Sequence, residues 1–344
     1  MSPNQKKNII YSIVLLASVA IVWWVRNQPE SADTATDDTY ISVQGQTMGT
    51  TYNIKYKDEQ QRNFKSGIDS LLEVFNQSVN HYLPDSEITR FNQQDTLYFE
   101  LPYFYPVLER SQEIVQATGG AFDPTVAPLV NAWGFGPEEN ELPDDSAVDS
   151  LLQLVGFDKI EYTSDYVTRK APNVTLNFSA IAKGYGVDAV GSFLRSQGVD
   201  NFMVEIGGEV LCRGVNDQGN LWRIGVDNPS QIGQMSAAIA LDNQAIATSG
   251  DYRNYYVRDG KKYAHTIDPK TGRQVTHSVL SVSVIAGDCM TADGFATAFM
   301  VVGLERAKEI VAQQAGLEVY IIYDDNGTTK TFQTEGMEEM IINS

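Results

Sequence analysis

The sequence predicts an α+β fold: mixed, mostly antiparallel sheets packed with helices in one compact unit. Three observations predict it. Short segments with period-two apolar alternation are interleaved with segments of helical period. The two kinds follow one another without the strict strand–helix–strand alternation of a parallel sheet. Of the 344 residues, 42% are hydrophobic, enough for one large core or two closely packed ones.

The elements follow in order. NIIYSIVLLASVAIVWWV, residues 8–25, is almost uninterrupted apolar sequence, with Lys6 and Lys7 before it and Arg26 after it. As a helix it approaches the ~30 Å hydrocarbon core of a bilayer. Trp23 and Trp24 sit near one end, as interfacial aromatics do. A cleaved signal peptide is the alternative, since Ser18–Ala20 resembles a small-residue cleavage site, but the apolar run continues past it. There is no lipobox cysteine. Residues 1–26 are therefore expected to be an uncleaved membrane anchor. The positive-inside rule keeps its lysines in the cytoplasm and places the body outside, in the periplasm or its equivalent. Residues 27–39 are polar and acidic and read as a linker.

The body begins near residue 40. YISVQGQTMGTTYNIKY alternates and predicts a strand pair turning at Gly45 or Gly49. FKSGIDSLLEVFNQSVNHY carries Ile68, Leu71, Leu72, Phe75 and Val79 at helical spacing. PVLERSQEIVQATGG predicts a second helix stopped at Gly119 and Gly120, and DDSAVDSLLQLVG a third, capped by Asp144 or Asp145. VTLNFSAIAKGYGVDAVGSFLRSQG predicts a short strand and then a helix closed by Gly198. Strands are expected in NFMVEIGGEVLCRG, WRIGVD, AAIALDNQAIAT and HSVLSVSVIAG, with a hairpin through Asp259-Gly260 in NYYVRDGKKYAHTID. MTADGFATAF, ending near Val301 and Val302, and ERAKEIVAQQAG predict helices, and LEVYIIYD predicts a last strand.

The formal net charge is -19. Such a chain repels nucleic acid and anionic lipid, so nucleic-acid partners are not expected. An anionic ligand would need a metal, a lysine or backbone N–H groups to offset the field. The two cysteines, Cys212 and Cys289, fit no zinc or haem spacing. They are read as buried small hydrophobes or as one disulfide, which the extracytoplasmic compartment would permit.

Several groups could carry chemistry. Asp293 and Thr297 stand four residues apart, so on a helix they share a face about 6 Å apart at Cβ. Two hard oxygen donors suit Mg²⁺. A helix N-cap, with the threonine hydroxyl bonded back to a carbonyl, explains the pair equally. Lys183 lies among Ala180, Ala182, Gly184 and Gly186. Buried there it needs an anionic partner such as phosphate; otherwise it reaches to solvent. GGAFDPTVAPLVNAWGFGP reads as a glycine-rich ligand wall or as a loop–helix junction capped by Asp123. The paired glycines of EIGGEV suggest close backbone approach. His265, before an Asp-Pro turn, has the side chain for general base work or a structural place at a strand end. His81 and His277 receive no role. Met48 and Tyr82 offer faces for a flat ring, or core packing.

In this order, MGTTY, PDSEITRFN, TGGAFDPTVAPLVNAWGFG, NFSAIAKGYGVD, VEIGGEV, ATSGDYRNYY, AHTIDPKTG and TADGFATAF resemble the ApbE-type flavin transferases over roughly residues 45–320. The resemblance implies an ApbE-like catalytic domain over residues 40–344. It implies an enzyme that takes FAD and Mg²⁺ and transfers FMN to a Thr or Ser of a target protein, a subunit of a membrane redox complex, with release of AMP. An FAD pyrophosphatase and a non-catalytic periplasmic flavin-binding protein are the alternatives. Residue by residue, Asp293, Thr297 and the Ala180 carbonyl match the metal ligands. Met48, Tyr82, Ala121, Phe122, Asp123, Asn177, Lys183, His265 and Ile267 match FAD contacts. His265 also matches a position thought to assist transfer, as general base. Asn177 stands where the family more often has Asp; it can bond but cannot act as a base.

Overall fold

The described elements, in chain order, begin with β1 (Tyr40–Thr47), β2 (Thr50–Lys57), α1 (Lys65–Val79), α2 (Glu87–Gln93), β3 (Thr96–Tyr98) and α3 (Phe104–Thr118). There follow α4 (Ala127–Ala132), α5 (Asp145–Leu152), β4 (Ile160–Tyr162), β5 (Tyr166–Arg169) and α6 (Ala182–Ser196). Next come β6 (Phe202–Ile206), β7 (Glu209–Arg213), β8 (Trp222–Asp227), β9 (Met235–Leu241) and β10 (Ala245–Gly250). The last are β11 (Tyr255–Arg258), β12 (Lys261–Ala264), β13 (Val279–Ala286), α7 (Cys289–Val311), β14 (Glu318–Asp325), β15 (Thr328–Gln333) and α8 (Glu335–Met340). The structure is a computed structural model and describes residues 39–135, 142–231, 233–250, 255–258, 261–264 and 266–342. The chain divides after Asp38, and Thr39–Ser344 form one compact unit. The expected anchor and all but the last residue of the expected linker lie outside the described residues, as does the Asp259-Gly260 turn. No helix among the described residues is long and apolar enough to cross a membrane.

Eight strands form the central sheet in the order β1-β2-β6-β7-β10-β13-β14-β15, and its neighbours pair antiparallel. The α+β expectation therefore holds. Side chains alternate across this sheet and both faces are covered. Ala247, Val284, Val319 and Ile321 point into the helical side, with α3, α6 and α7. Ile246, Ile285, Tyr320 and Ile322 point the other way, under the β8–β9 pair and α8. Two covered faces explain why β14 is a nearly continuous apolar run.

The first hairpin turns at Met48 and Gly49, with φ of 48° and 73°. That pair of left-handed residues is what a tight hairpin demands. Gly45 lies within β1, opposite Tyr52. Gly119 ends α3 at φ 62°, and Asp144 caps α5 through the Ala147 N–H. α7 runs through both helices expected after residue 289, broken at Gly303 (φ 75°, ψ 177°).

One expected element does not form. Val174, Leu176 and Phe178 are fully buried and alternate as a strand would, yet among the described residues the segment pairs with no strand. The Asn92 side chain takes the partner's place: it donates to the Leu176 carbonyl at 2.9 Å and accepts from the Leu176 N–H at 2.8 Å. The three-stranded sheet β3-β5-β4, α2, β15 and α8 were not anticipated. α2 has a plain local signal nonetheless, since Ser86 caps it by accepting from Thr89 N–H.

Candidate active site

Helices α6 and α7 set the centre of the site. They cross where Gly184 lies against the first turn of α7. A Cβ on Gly184 would stand 2.2 Å from the Cys289 carbonyl oxygen and 2.8 Å from Asp293 Cβ, so only glycine permits the approach. Gly184 N–H, one of the first-turn donors that the helix itself leaves unpaired, donates to Asp293 Oδ2 at 3.0 Å. Asp188, also on α6, holds the start of α7 through the N–H groups of Cys289 and Met290, both at 2.8 Å. Burial pushes the Asp188 carboxyl up to about 7, although both bonds and the helix terminus oppose that shift.

Asp293 is nearly buried, at 3% exposure. The N-cap alternative for it does not hold: Asp288 caps α7, accepting from Thr291 N–H at 2.8 Å. Thr297, one turn on, reaches across to Ser249 Oγ at 3.3 Å. Lys183 does not run out to solvent. Its ammonium lies 2.9 Å from Glu209 Oε1 and 3.9 Å from Asp293 Oδ1. Burial works against that ammonium, but Asp293 and then Glu209 outweigh it and hold Lys183 firmly protonated. Burial likewise raises the Glu209 carboxyl, against the pull of Lys183. Two carboxylates and one ammonium leave the cluster with a formal charge of about -1, a setting that favours a cation.

Around this cluster lies one cavity of ≈ 850 Å³, lined by polar and apolar side chains together. Met48, Tyr82, Ala121, Phe122, Asp123, Asn177, Ala180, Lys183, Ile267, Asp293 and Thr297 all line it. The structure thus gathers residues spread over some 250 positions of sequence. His265 lies outside the described residues; Thr266 and Ile267, which follow it, line the cavity. Asp123 shapes the wall with a fully committed carboxylate. Oδ1 accepts from Thr125 N–H at 2.9 Å and Thr125 Oγ1 at 2.6 Å, and Oδ2 accepts from Phe157 N–H at 3.0 Å. Burial raises its pKa all the same. Asn177 Oδ1 accepts from Ser179 N–H at 2.8 Å, fixing the turn that presents Ala180. Met48 lines the cavity from the left-handed conformation that its hairpin turn imposes.

A scan against protein families matches residues 48–321 to the ApbE family model. The FAD:protein FMN transferase of Vibrio cholerae is 40% identical over 297 residues, 83% of this chain and 89% of that protein. The enzyme of that name from Escherichia coli is 32% identical over 347 residues, 96% and 97% of the two chains. This chain belongs to the ApbE family. Solved ApbE folds agree. The flavin transferase ApbE from Vibrio cholerae superposes with a TM-score of 0.79 at 37% identity, over 88% of this chain and 99% of its own. The apo form of the Pseudomonas stutzeri flavinyl transferase ApbE gives 0.79 at 30%, over 88% and 96%.

Some cavity residues had no role from sequence. Glu209 sits in the EIGGEV segment, singled out for its glycines alone, yet it is the partner of Lys183. His81 lines the cavity beside Tyr82, ring centroids 4.1 Å apart, and burial lowers its pKa. His277 is structural: Nε2 contacts the Met300 carbonyl at 2.7 Å. Cys212 and Cys289 are both buried and free, so the disulfide alternative is not realised.

Proposed function

We propose that this chain is an FAD:protein FMN transferase, which moves the FMN part of FAD onto a threonine or serine hydroxyl of an acceptor protein and releases AMP. The observation that carries the proposal is the single cavity in which Lys183, Asp293, Thr297 and Ala180 meet, in a chain of the ApbE family. Its volume, ≈ 850 Å³, lies in the range that encloses nucleotide-sized ligands.

The family implies Mg²⁺, and the residues present fit it. The donors are all oxygen, as Mg²⁺ requires. Asp293 keeps Oδ1 outside hydrogen-bond reach of Lys183, and the Ala180 carbonyl stands just before the N-cap Ile181, where the helix ladder does not claim it. Asp293, Thr297 and the Ala180 carbonyl would hold the ion. Bound there, it would polarise the phosphoryl oxygens and stabilise the departing AMP. Lys183, kept protonated by its two carboxylates, supplies a fixed positive charge for the pyrophosphate. Met48, Tyr82, Ala121, Phe122, Asp123, Asn177 and Ile267 bind and orient the FAD. His265 takes the proton of the acceptor hydroxyl as its oxygen bonds to phosphorus and the bond from phosphorus to the AMP oxygen breaks. Residues 1–26 anchor the chain in the cytoplasmic membrane. The site then works on the extracytoplasmic side, on a subunit of a membrane redox complex.

The test incubates the purified full chain with FAD and Mg²⁺, with and without an acceptor, and resolves the nucleotides by chromatography. AMP release that depends on the acceptor, with flavin retained on it, is the expected result. Free FMN and AMP without acceptor would make the chain a pyrophosphatase, and intact FAD a binding protein.

A further inference from the structure

Glu209 begins β7, directly after the Gly207–Gly208 turn, and its side chain is 4% exposed. Oε1 accepts from the Lys183 ammonium at 2.9 Å. Oε2 is buried and has no hydrogen-bond donor among the described residues. A buried carboxylate oxygen seldom stays bare, because the lost contacts with water are not replaced. Gly208 N–H, the donor just before Glu209 in the chain, is engaged with Glu205 Oε1, and Glu209's own N–H faces its carboxylate without making a hydrogen bond to Oε2. Glu209 itself is one of the residues that line the cavity.

On the FMN-transfer reading, on which this inference rests, the ligand brings phosphates to Lys183. Phosphate oxygens accept hydrogen bonds and repel a carboxylate, so they cannot satisfy Oε2. The donors that flank the phosphates of a flavin dinucleotide are sugar hydroxyls, of the ribityl chain on one side and the ribose on the other. We propose that Glu209 Oε2 binds a sugar hydroxyl next to the phosphate held at Lys183. One carboxylate then fixes both the ammonium that meets the phosphate and the register of the adjoining sugar. The site selects nucleotides that carry that hydroxyl.

The experiment measures dissociation constants by calorimetry on the purified full chain and on its Glu209→Gln and Glu209→Ala variants. Two ligand pairs are compared: FMN against a flavin phosphate with an unhydroxylated alkyl chain, and AMP against its 2′- and 3′-deoxy forms. The wild type is expected to favour the hydroxyl-bearing member of one pair by about ten- to hundredfold, the worth of a hydrogen bond to a charged group. Both variants should flatten that preference, and the pair that responds identifies the sugar. If Glu209→Ala fails to fold, the isosteric Glu209→Gln carries the comparison. Variants that weaken hydroxylated and deoxy ligands equally would confine Glu209 to holding Lys183 and overturn the proposal. So would variants that change only the Mg²⁺ requirement, which would assign Oε2 to a metal-bound water. A wild type that binds neither FAD, FMN nor AMP would defeat the functional reading itself, and this inference with it.

Discussion

Replacing Gly184 by alanine puts a methyl group 2.2 Å from the Cys289 carbonyl oxygen, 2.7 Å from its carbon and 2.8 Å from Asp293 Cβ. Two of these atoms are backbone, so no rotamer change relieves the clash. Ordinary contact lies near ~3.5 Å, so α6 and α7 must part by about 1 Å. Overpacking of this kind costs about 1–3 kcal/mol, or a fall in Tm of roughly 2–6 °C for a chain of this size. The larger effect falls on chemistry. The 3.0 Å bond from Gly184 N–H to Asp293 Oδ2 breaks, and Asp293 shifts relative to Lys183 and Ala180. A misplacement of about 1 Å costs on the order of a hundredfold in rate. The assay is single-turnover FMN transfer at saturating FAD, titrated with Mg²⁺, alongside thermal unfolding. Gly287→Ala is the control, since a Cβ there meets nothing within 4 Å. A Gly184→Ala enzyme with the wild-type rate, Mg²⁺ requirement and Tm would refute the helix-approach reasoning.

Other outcomes follow from the same geometry. Asp293→Ala should abolish Mg²⁺-dependent turnover with its circular dichroism unchanged; full activity would remove Asp293 from the metal site. Asn177→Asp should retain activity, because an aspartate keeps the oxygen that accepts from Ser179 N–H; a large gain would show that charge matters there. Asn92→Ala strips both bonds from buried Leu176 and should lower stability by about 2–4 kcal/mol in urea unfolding; an unchanged midpoint would count against the surrogate-strand role. The Asp188 carboxyl is raised to about 7 in the folded chain, against about 4 unfolded. The native state therefore binds the extra proton, and this group's contribution falls as pH rises from about 4 to about 7. Asp188→Asn should remove that part of the decline, read as the wild-type minus variant difference at pH 5 and pH 8; a difference independent of pH would contradict it.

Much of the fold could be read from local pattern. The hairpin at Met48–Gly49 announces itself by its glycine, α1 by apolar period alone, and α3 and α5 by apolar period and a cap, whereas the paired glycines at 207–208 suggest only close backbone approach. The failures have physical causes. The Val174–Phe178 alternation is real, but a strand also needs a neighbouring ladder, and Asn92 supplies only one residue's worth. The short strands β3 and β4 are three residues each, too brief for periodicity to mark. At the site, Asp293 and Thr297 could be paired from spacing because one helix carries both. Lys183 and Glu209 come from different elements, and only the packing of α6 on the β6–β7 turn brings them together. No spacing rule encodes that contact.

The measurement that bears most directly on the central claim is intact mass spectrometry of a threonine-bearing acceptor subunit after incubation with the full chain, FAD and Mg²⁺. The predicted result is a mass gain equal to one FMN moiety, absent when Mg²⁺ is chelated and absent with Asp293→Ala. An unmodified acceptor together with free FMN and AMP in solution would contradict transfer and leave hydrolysis as the activity of the site.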